Sequence, residues 1–485
     1  MALGALAIQA PIWDRWLAWF DEGFIYQIGS ELAAGAVLYR DVSHIAFPGV
    51  FEAVAGLFAM TGPSALAGRA LAVLLFTATA LLTLALARTV MPLGWAVVAA
   101  ALFVLHRPWA FPQWQMLHYS TLCVTLLAAA ACLVARALPA PSGRRLAAVG
   151  AVLGAAILAK QDYGLAVTGA THLFLLAAAA PARAAGGRLR ALAALDAGVA
   201  AVLLPVVASF AWHGALDDMV QQTVVAPLLV KQLWRPAAGE YITFFGIRPL
   251  LHQNPVLHSA QAFNYLPPLL LDLHLGAVLN SWWFRETIVV DTLLKLVFLG
   301  PALLIAASVL SLAARRGERD TGWWRQCWLT VFAAGLLAAF NKPRDWAHLV
   351  PVAYPAFVLG PLLLARAWTA GGWRRLAIVT PAALAAAAAS IAGLVLLRDL
   401  CRRYDTRLDW PRARLRVEAS EKAVFDGLAI TLDALVPPGG PVPVYPYHPS
   451  VNFVLGRPGV GRYRTIEPVV GSPQRDAEVI AALER

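Results

Sequence analysis

Long runs of Ala, Leu and Val dominate this chain, and six of them, at 65–87, 119–138, 191–212, 289–313, 348–368 and 375–397, are long enough to cross a bilayer. A hydrocarbon core of about 30 Å takes roughly 20 apolar residues in a helix. Shorter apolar stretches lie at 93–106, 145–160, 163–180 and 323–340. Hydrophobic residues make up 60% of the chain and charged ones 14%, against about 25% charged in a soluble domain. A soluble protein of this composition would lack the polar surface to cover its core. Disorder, a collagen-like fibre and a disulfide scaffold are excluded as well. The runs are not the alternating ten-residue segments of an outer-membrane barrel. The expected fold is therefore an all-α polytopic membrane protein with about 11 spans or re-entrant helices.

The net charge of +11 raises nucleic acid as a partner, but the positions of the charges argue against it. Basic clusters at Arg136/Arg144/Arg145, Arg183/Arg188/Arg190, Arg315/Arg316/Arg319/Arg325 and Arg366/Arg374/Arg375 fall between apolar stretches. Threading the spans alternately puts these, and Arg88, on one face, which the positive-inside rule makes cytoplasmic. The opposite face receives 14–64, 107–118, the turn at Lys160–Tyr163, the long loop 213–288, the turn Asn341–Trp346 and the tail from about 398. Trp16, Trp19, Phe20, Trp109, Trp114, Trp282 and Trp283 gather at these edges, as an aromatic belt would. Only about 13 residues precede Asp14, roughly 20 Å of helix, which is too short to cross. That points to a start upstream or an incomplete first helix.

Residues 1–397 are expected to form the membrane domain and 398–485 a small extracytoplasmic α/β tail. In the tail, Val442-Pro443-Val444-Tyr445 reads as a strand after the turn cluster Pro437–Pro441, and Asp476–Arg485 as a helix. Cys123, Cys132, Cys327 and Cys401 form neither a CxxC nor a Cys/His spacing, so no disulfide or zinc site is indicated.

Chemistry is concentrated at a few places on the non-basic face. Asp21-Glu22 stands beside an aromatic membrane edge, where an acid pair can supply an outward-facing general base; the alternative is an interfacial amphipathic helix with solvated acids and Trp13 to Phe20 on its membrane face. Lys160-Gln161-Asp162 sits between two short apolar stretches. Charge at that depth suggests function or an internal pair, while a plain turn with Lys160 snorkelling explains it equally well. Asn341-Lys342-Pro343-Arg344-Asp345-Trp346, followed by His348, places two cations where they can hold a phosphate, or merely marks a helix boundary. His106, Arg107, Gln115, His118 and Tyr119 crowd another turn and either line a polar cavity or decorate an interface. In the long loop, His252, His258, Asp272 and His274 fit no strong metal spacing.

The order of these pieces resembles the glycosyltransferase C superfamily, in its family 39-like branch of protein O-mannosyltransferases, lipid A aminoarabinose transferases and rhizobial lipopolysaccharide sugar transferases. The matching residues are Asp21-Glu22-Gly23, then Gly35…Leu38-Tyr39-Arg40-Asp41…Phe47-Pro48-Gly49, the Lys160-Gln161 turn, Arg344-Asp345…His348, and Val444-Tyr445-Pro446-Tyr447…Phe453-Val454-Leu455-Gly456-Arg457 in the tail. The resemblance implies transfer of a sugar from a polyprenyl-phosphate donor to an extracytoplasmic glycan, lipid or protein, with inversion at the anomeric carbon. It implies Asp21 as the base with Glu22 supporting it. Lys160, Arg344 and Lys342 would bind the donor phosphate. Arg40, Asp41 and His348 would shape the sugar and loop geometry, and Gln161 and Asp345 complete the binding set. No cofactor, metal or nucleic acid is implied; the partners are the donor, the acceptor and membrane lipids of a bacterial cytoplasmic membrane. A lipid-linked sugar flippase must expose its site to both faces, whereas the polar residues here gather on one. A non-catalytic envelope scaffold explains the tail but leaves Lys160 idle.

Overall fold

A computed structural model describes residues 1–18, 21–178, 187–233, 288–340, 346–445, 448–464 and 473–484. The first eight helices are α1 (Ala2–Gln9), α2 (Asp21–Ala33), α3 (Gly49–Thr61), α4 (Ala65–Ala87), α5 (Leu93–Leu105), α6 (Tyr119–Ala137), α7 (Gly143–Ala159) and α8 (Gln161–Ala177). Helices Arg188–Trp212, Ile288–Ala314, Thr321–Ala338, Ala356–Ala370 and Thr380–Arg403 follow, close to the expected apolar runs. Among the described residues, five helices are long and apolar enough to cross a membrane, or six if Trp346–Val352 and Ala356–Ala370 count as one span bent by 57°. The bend falls where Pro351 and Pro355 interrupt the run expected at 348–368, since proline removes a helical hydrogen bond and clashes with the preceding turn.

Helix α6 is the central post: Val124, Leu127, Ala128 and Ala131 are among its buried residues, in one core with Phe76, Phe103, Leu153 and Trp328. Small residues let α7 cross helix Arg188–Trp212 at backbone contact. A Cβ on Gly150 would lie 1.9 Å from the Leu195 carbonyl oxygen, and one on Gly198 the same distance from that of Ala147. This is the small-residue packing that membrane helices use in place of a hydrophobic drive.

Contacts join residues expected on each of the two faces. On one, Arg325 donates to the carbonyls of Thr89 and Ala135, and Arg366 to Ser311. On the other, α2, α3, the 107–118 segment, the α7–α8 junction and the tail meet. Ser43 N–H donates to Arg462 O, Trp16 N–H to Arg416 O and Arg416 N–H to Asp14 O. The tail helix Ser450–Leu455 seats Phe453 against Tyr26 and Phe58, and Arg464 bonds Glu31.

Several expectations change. Val442–Tyr445 is not a strand, because Pro441 and Pro443 remove alternate N–H donors. The sheet described in the tail is instead β1 (Thr406–Arg407) with β2 (Arg416–Val417), antiparallel. The expected C-terminal helix is present as Pro473–Leu483. Trp114 is no belt residue: it is 3% exposed and packs edge-on against Phe76 and Phe103. Trp13–Ala18 forms no amphipathic helix, because its backbone is engaged by the tail and Trp16 adopts φ 60°. Trp19, Phe20, Trp282, Trp283 and the loop candidates His252, His258, Asp272 and His274 lie outside the described residues.

Candidate active site

The acid pair opens α2, where the helix dipole favours negative charge. Glu22 is fully buried. Its two oxygens accept from Arg69 Nε at 2.5 Å and Nη2 at 2.6 Å, and one also accepts from Ala18 N–H. Arg69 donates further to the carbonyls of Arg15 and Trp16. Gly23 is required beside the pair, since a Cβ there would strike the Ser450 backbone. Tyr26, one turn on, lies beside Glu22 and the Leu117 backbone, and burial next to that carboxylate raises its pKa well above the usual value. Asp21 is thus held at the half-exposed start of a helix whose next turn is locked.

The second group forms where α7 ends. Lys160 takes an extended conformation (φ −155°, ψ 109°) between α7 and α8, and Gly164 packs directly on the Ile157 backbone. Lys160 does not snorkel: it is 6% exposed, donates to Ser120 Oγ at 3.0 Å and lies 3.6 Å from the Tyr163 ring centroid. His118 caps α6, its Nδ1 accepting from Ser120 N–H, and its buried Nε2 has no hydrogen-bond partner among the described residues. Burial, reinforced by Lys160, His348 and His44 nearby, holds His118 well below the usual histidine pKa. His44 sits between Phe24 and Phe51, with ring centroids at 4.8 and 4.7 Å, and burial brings it to about 3. Lys160, His118, His348 and His44 therefore converge from four separate chain segments, with both His44 and His118 neutral at pH 7.

The first loop is fastened to this group. Gln161 Nε2 donates to Ile45 O at 3.0 Å and its Oε1 accepts from Phe47 N–H at 3.2 Å. Gly49 meets the α7 terminus so closely that a Cβ would lie 2.7 Å from Leu158 O. Within the loop, Tyr39 has φ 71°, a strained value for an aromatic residue. The strain is held by Tyr39 N–H to Val42 O at 2.7 Å, the hydroxyl to Ala46 O at 2.9 Å, and Gln222 Nε2 to Tyr39 O at 2.8 Å. Asp41 accepts from Val37 N–H and pairs with Arg40, and the Arg40 hydrogen bond lowers its pKa. Arg40 also reaches His213 O. Arg40 and Asp41 thus tie the loop, at an exposed position.

The structure gathers Asp21, Glu22, Gln161, Lys160 and His348 on one face; Lys342, Arg344 and Asp345 lie outside the described residues. Sequence reasoning gave no role to Arg69, Ser120 or Tyr163. An arginine within an apolar run was the available signal for Arg69, since a charge there calls for an internal partner. Among the described residues no group of three or more His, Cys, Asp or Glu could hold a metal. Arg107, treated as one of a loose crowd, is buried and bonds Gln115 at 2.5 Å, while Gln115 ties to the carbonyls of Ile12 and Arg15.

The sequence matches no family model and no curated protein. Its fold does match solved structures. The Archaeoglobus fulgidus oligosaccharyltransferase tethered with an acceptor peptide containing the NVT sequon aligns at TM-score 0.53 and 14% identity over 97% of this chain and 63% of that one. ArnT from Cupriavidus metallidurans bound to undecaprenyl phosphate aligns at 0.50 and 16% over 95% of this chain and 84% of that one. The archaeal oligosaccharyltransferase AglB from Archaeoglobus fulgidus, in complex with an inhibitory peptide and a dolichol-phosphate, aligns at 0.50 and 13% over 97% and 64%. The chain thus spans less than two thirds of the oligosaccharyltransferase. It is an integral membrane protein that shares the fold of these solved structures.

Proposed function

We propose that this protein is a membrane glycosyltransferase that moves a sugar from a polyprenyl-phosphate donor to an acceptor outside a bacterial cytoplasmic membrane, inverting the anomeric carbon. Asp21 takes the proton of the acceptor hydroxyl or amine as that group attacks. The bond to the lipid phosphate breaks with its electrons leaving on the phosphate oxygen. Lys160 stabilises that charge, together with Lys342 and Arg344, while Glu22 holds the α2 entrance through Arg69. His348, Gln161, Arg40, Asp41 and Asp345 shape the donor and loop side. Polyprenyl phosphate is a good leaving group at neutral pH, so charge stabilisation serves better than protonation.

One observation carries the reading: a buried lysine lies near His118, His348 and His44, and His44 stacks on Phe24 of the acid-bearing helix. Solved proteins of the same fold hold undecaprenyl phosphate or dolichol-phosphate, which supports the donor class. Residues 398–485 are read as an extracytoplasmic tail beside the site.

The test is an in vitro transfer assay on purified protein in lipid, with a panel of polyprenyl-phosphate sugars and release of polyprenyl phosphate as the readout. Asp21→Asn should lower release by about 100-fold or more while expression and melting temperature stay near wild type. Equal release by wild type and Asp21→Asn would remove Asp21 as the base. Translocation of the lipid headgroup in liposomes without sugar release would replace the enzyme with a flippase.

A further inference from the structure

The hairpin just after the last span carries a charge arrangement that topology does not explain. Residues 398–416 hold seven arginines, at 398, 402, 403, 407, 412, 414 and 416. The Arg416 backbone is bonded to those of Asp14 and Trp16, and on the expected threading this part of the chain lies opposite the basic loops, outside the pattern that fixes orientation. In the hairpin, Arg407 and Arg416 stand directly opposite each other across β1 and β2, a like-charge pairing that destabilises a sheet unless something neutralises it. Arg414 lies two residues before β2.

These three side chains line a cleft of about 160 Å³ with Trp13, Asp14 and Leu66. The volume exceeds several-fold what a single water needs. Two carboxylates offset part of the charge: Asp14 meets Arg416 at 3.3 Å and Asp409 meets Arg407 at 2.7 Å. Arg414 is exposed in the cleft. One wall belongs to the membrane boundary, because Leu66 lies in the first turn of the candidate span Ala65–Ala87, and Trp13 has the amphipathic ring that favours this level. A phosphate group at this height, with an acyl chain running down beside α4, matches both the cationic and the apolar lining.

We propose that this cleft binds the phosphate of an anionic lipid headgroup at the membrane edge, as a site separate from the donor site. A basic residue near a membrane surface contributes about 1 kcal/mol toward anionic lipid, so each arginine removed should weaken retention about fivefold.

The full chain in detergent would be exchanged with equal amounts of phosphatidylglycerol and phosphatidylcholine, and retained lipid counted by native mass spectrometry, with inorganic phosphate as competitor in a parallel arm. The expected result is preferential retention of phosphatidylglycerol, reduced about fivefold in Arg414→Gln and further in Arg407→Gln/Arg414→Gln, but kept in Arg414→Lys. Millimolar inorganic phosphate should displace the lipid only partly. No preference in wild type, or a preference untouched by the double variant at unchanged melting temperature, would overturn the site. Protection by inorganic phosphate with no lipid preference would keep an anion cleft and overturn the lipid as its source. None of these outcomes depends on sugar transfer, so the donor-site reading stands or falls separately.

Discussion

Two buried charged groups lie on the same face of this molecule and are built in opposite ways. Glu22 and Arg69 face each other with both side chains fully buried, and the remaining guanidinium donors go to the carbonyls of Arg15 and Trp16. Lys160 meets a hydroxyl and an aromatic face, and its electrostatic surroundings include the basic side chain of His118. The first arrangement is closed: charge and hydrogen bonds balance inside it. The second holds a buried ammonium through a hydroxyl and an aromatic face, with histidines from other segments close by. Burial alone therefore does not mark a functional charge; the kind of group set against it matters as well.

The comparison is broken most sharply at Glu22. Glu22→Ala leaves Arg69 buried without its carboxylate, which should cost about 3–5 kcal/mol and show as a large fall in melting temperature and in folded yield. Replacing both partners, Glu22→Leu with Arg69→Met, should recover most of that loss, because an apolar pair of similar volume avoids the desolvation of two charges. If the double variant melts no higher than Glu22→Ala, the pair is not self-contained.

How much of this was legible depended on whether a residue acts within its own segment. The apolar runs at 65–87 and 119–138 return as α4 and α6 almost to the residue, because span length and hydropathy are local quantities. The break at Lys160 was visible too, as charge between two short runs. Its burial was not, since Ser120 reaches it from α6, 40 residues away. Glu22 was read as one of a pair of similar acids; only the fold brings Arg69, 47 residues away, onto it and leaves Asp21 at the edge. Val442-Pro443-Val444-Tyr445 read as a strand, but Pro441 and Pro443, each without an N–H, decided otherwise. Gly150 and Gly154 meet the backbone of Leu195 and Val199, and Gly198 that of Ala147, a pairing that nothing local in either run declares.

A pH titration sharpens the same contrast at intermediate size. His44 is lowered to about 3 by burial, and His118 is lowered as well. Between pH 6.5 and 3 the unfolded chain therefore takes up protons that the folded site refuses. Stability is present above about pH 6.5 and is lost as pH falls, by up to about 1.4 kcal/mol per pH unit for each histidine. Melting temperatures measured from pH 7.5 to 4.5 should decline more steeply in wild type than in His44→Asn. Parallel curves would mean that the ring pocket of Phe24 and Phe51 does not keep His44 neutral.

Lys160→Met is expected to have the smallest effect on stability, and for that reason it is the most informative. Methionine matches the length of the lysine stem and removes an ammonium whose desolvation opposes folding, so the melting temperature should change by less than about 1 kcal/mol equivalent, in either direction. Release of polyprenyl phosphate should nonetheless fall steeply if Lys160 is there for the donor. A variant that melts like wild type but does not transfer would separate the two buried groups by purpose. If Lys160→Met instead unfolds as badly as Glu22→Ala, Lys160 is a structural charge like Arg69, and the phosphate must be held by residues nearer to His348.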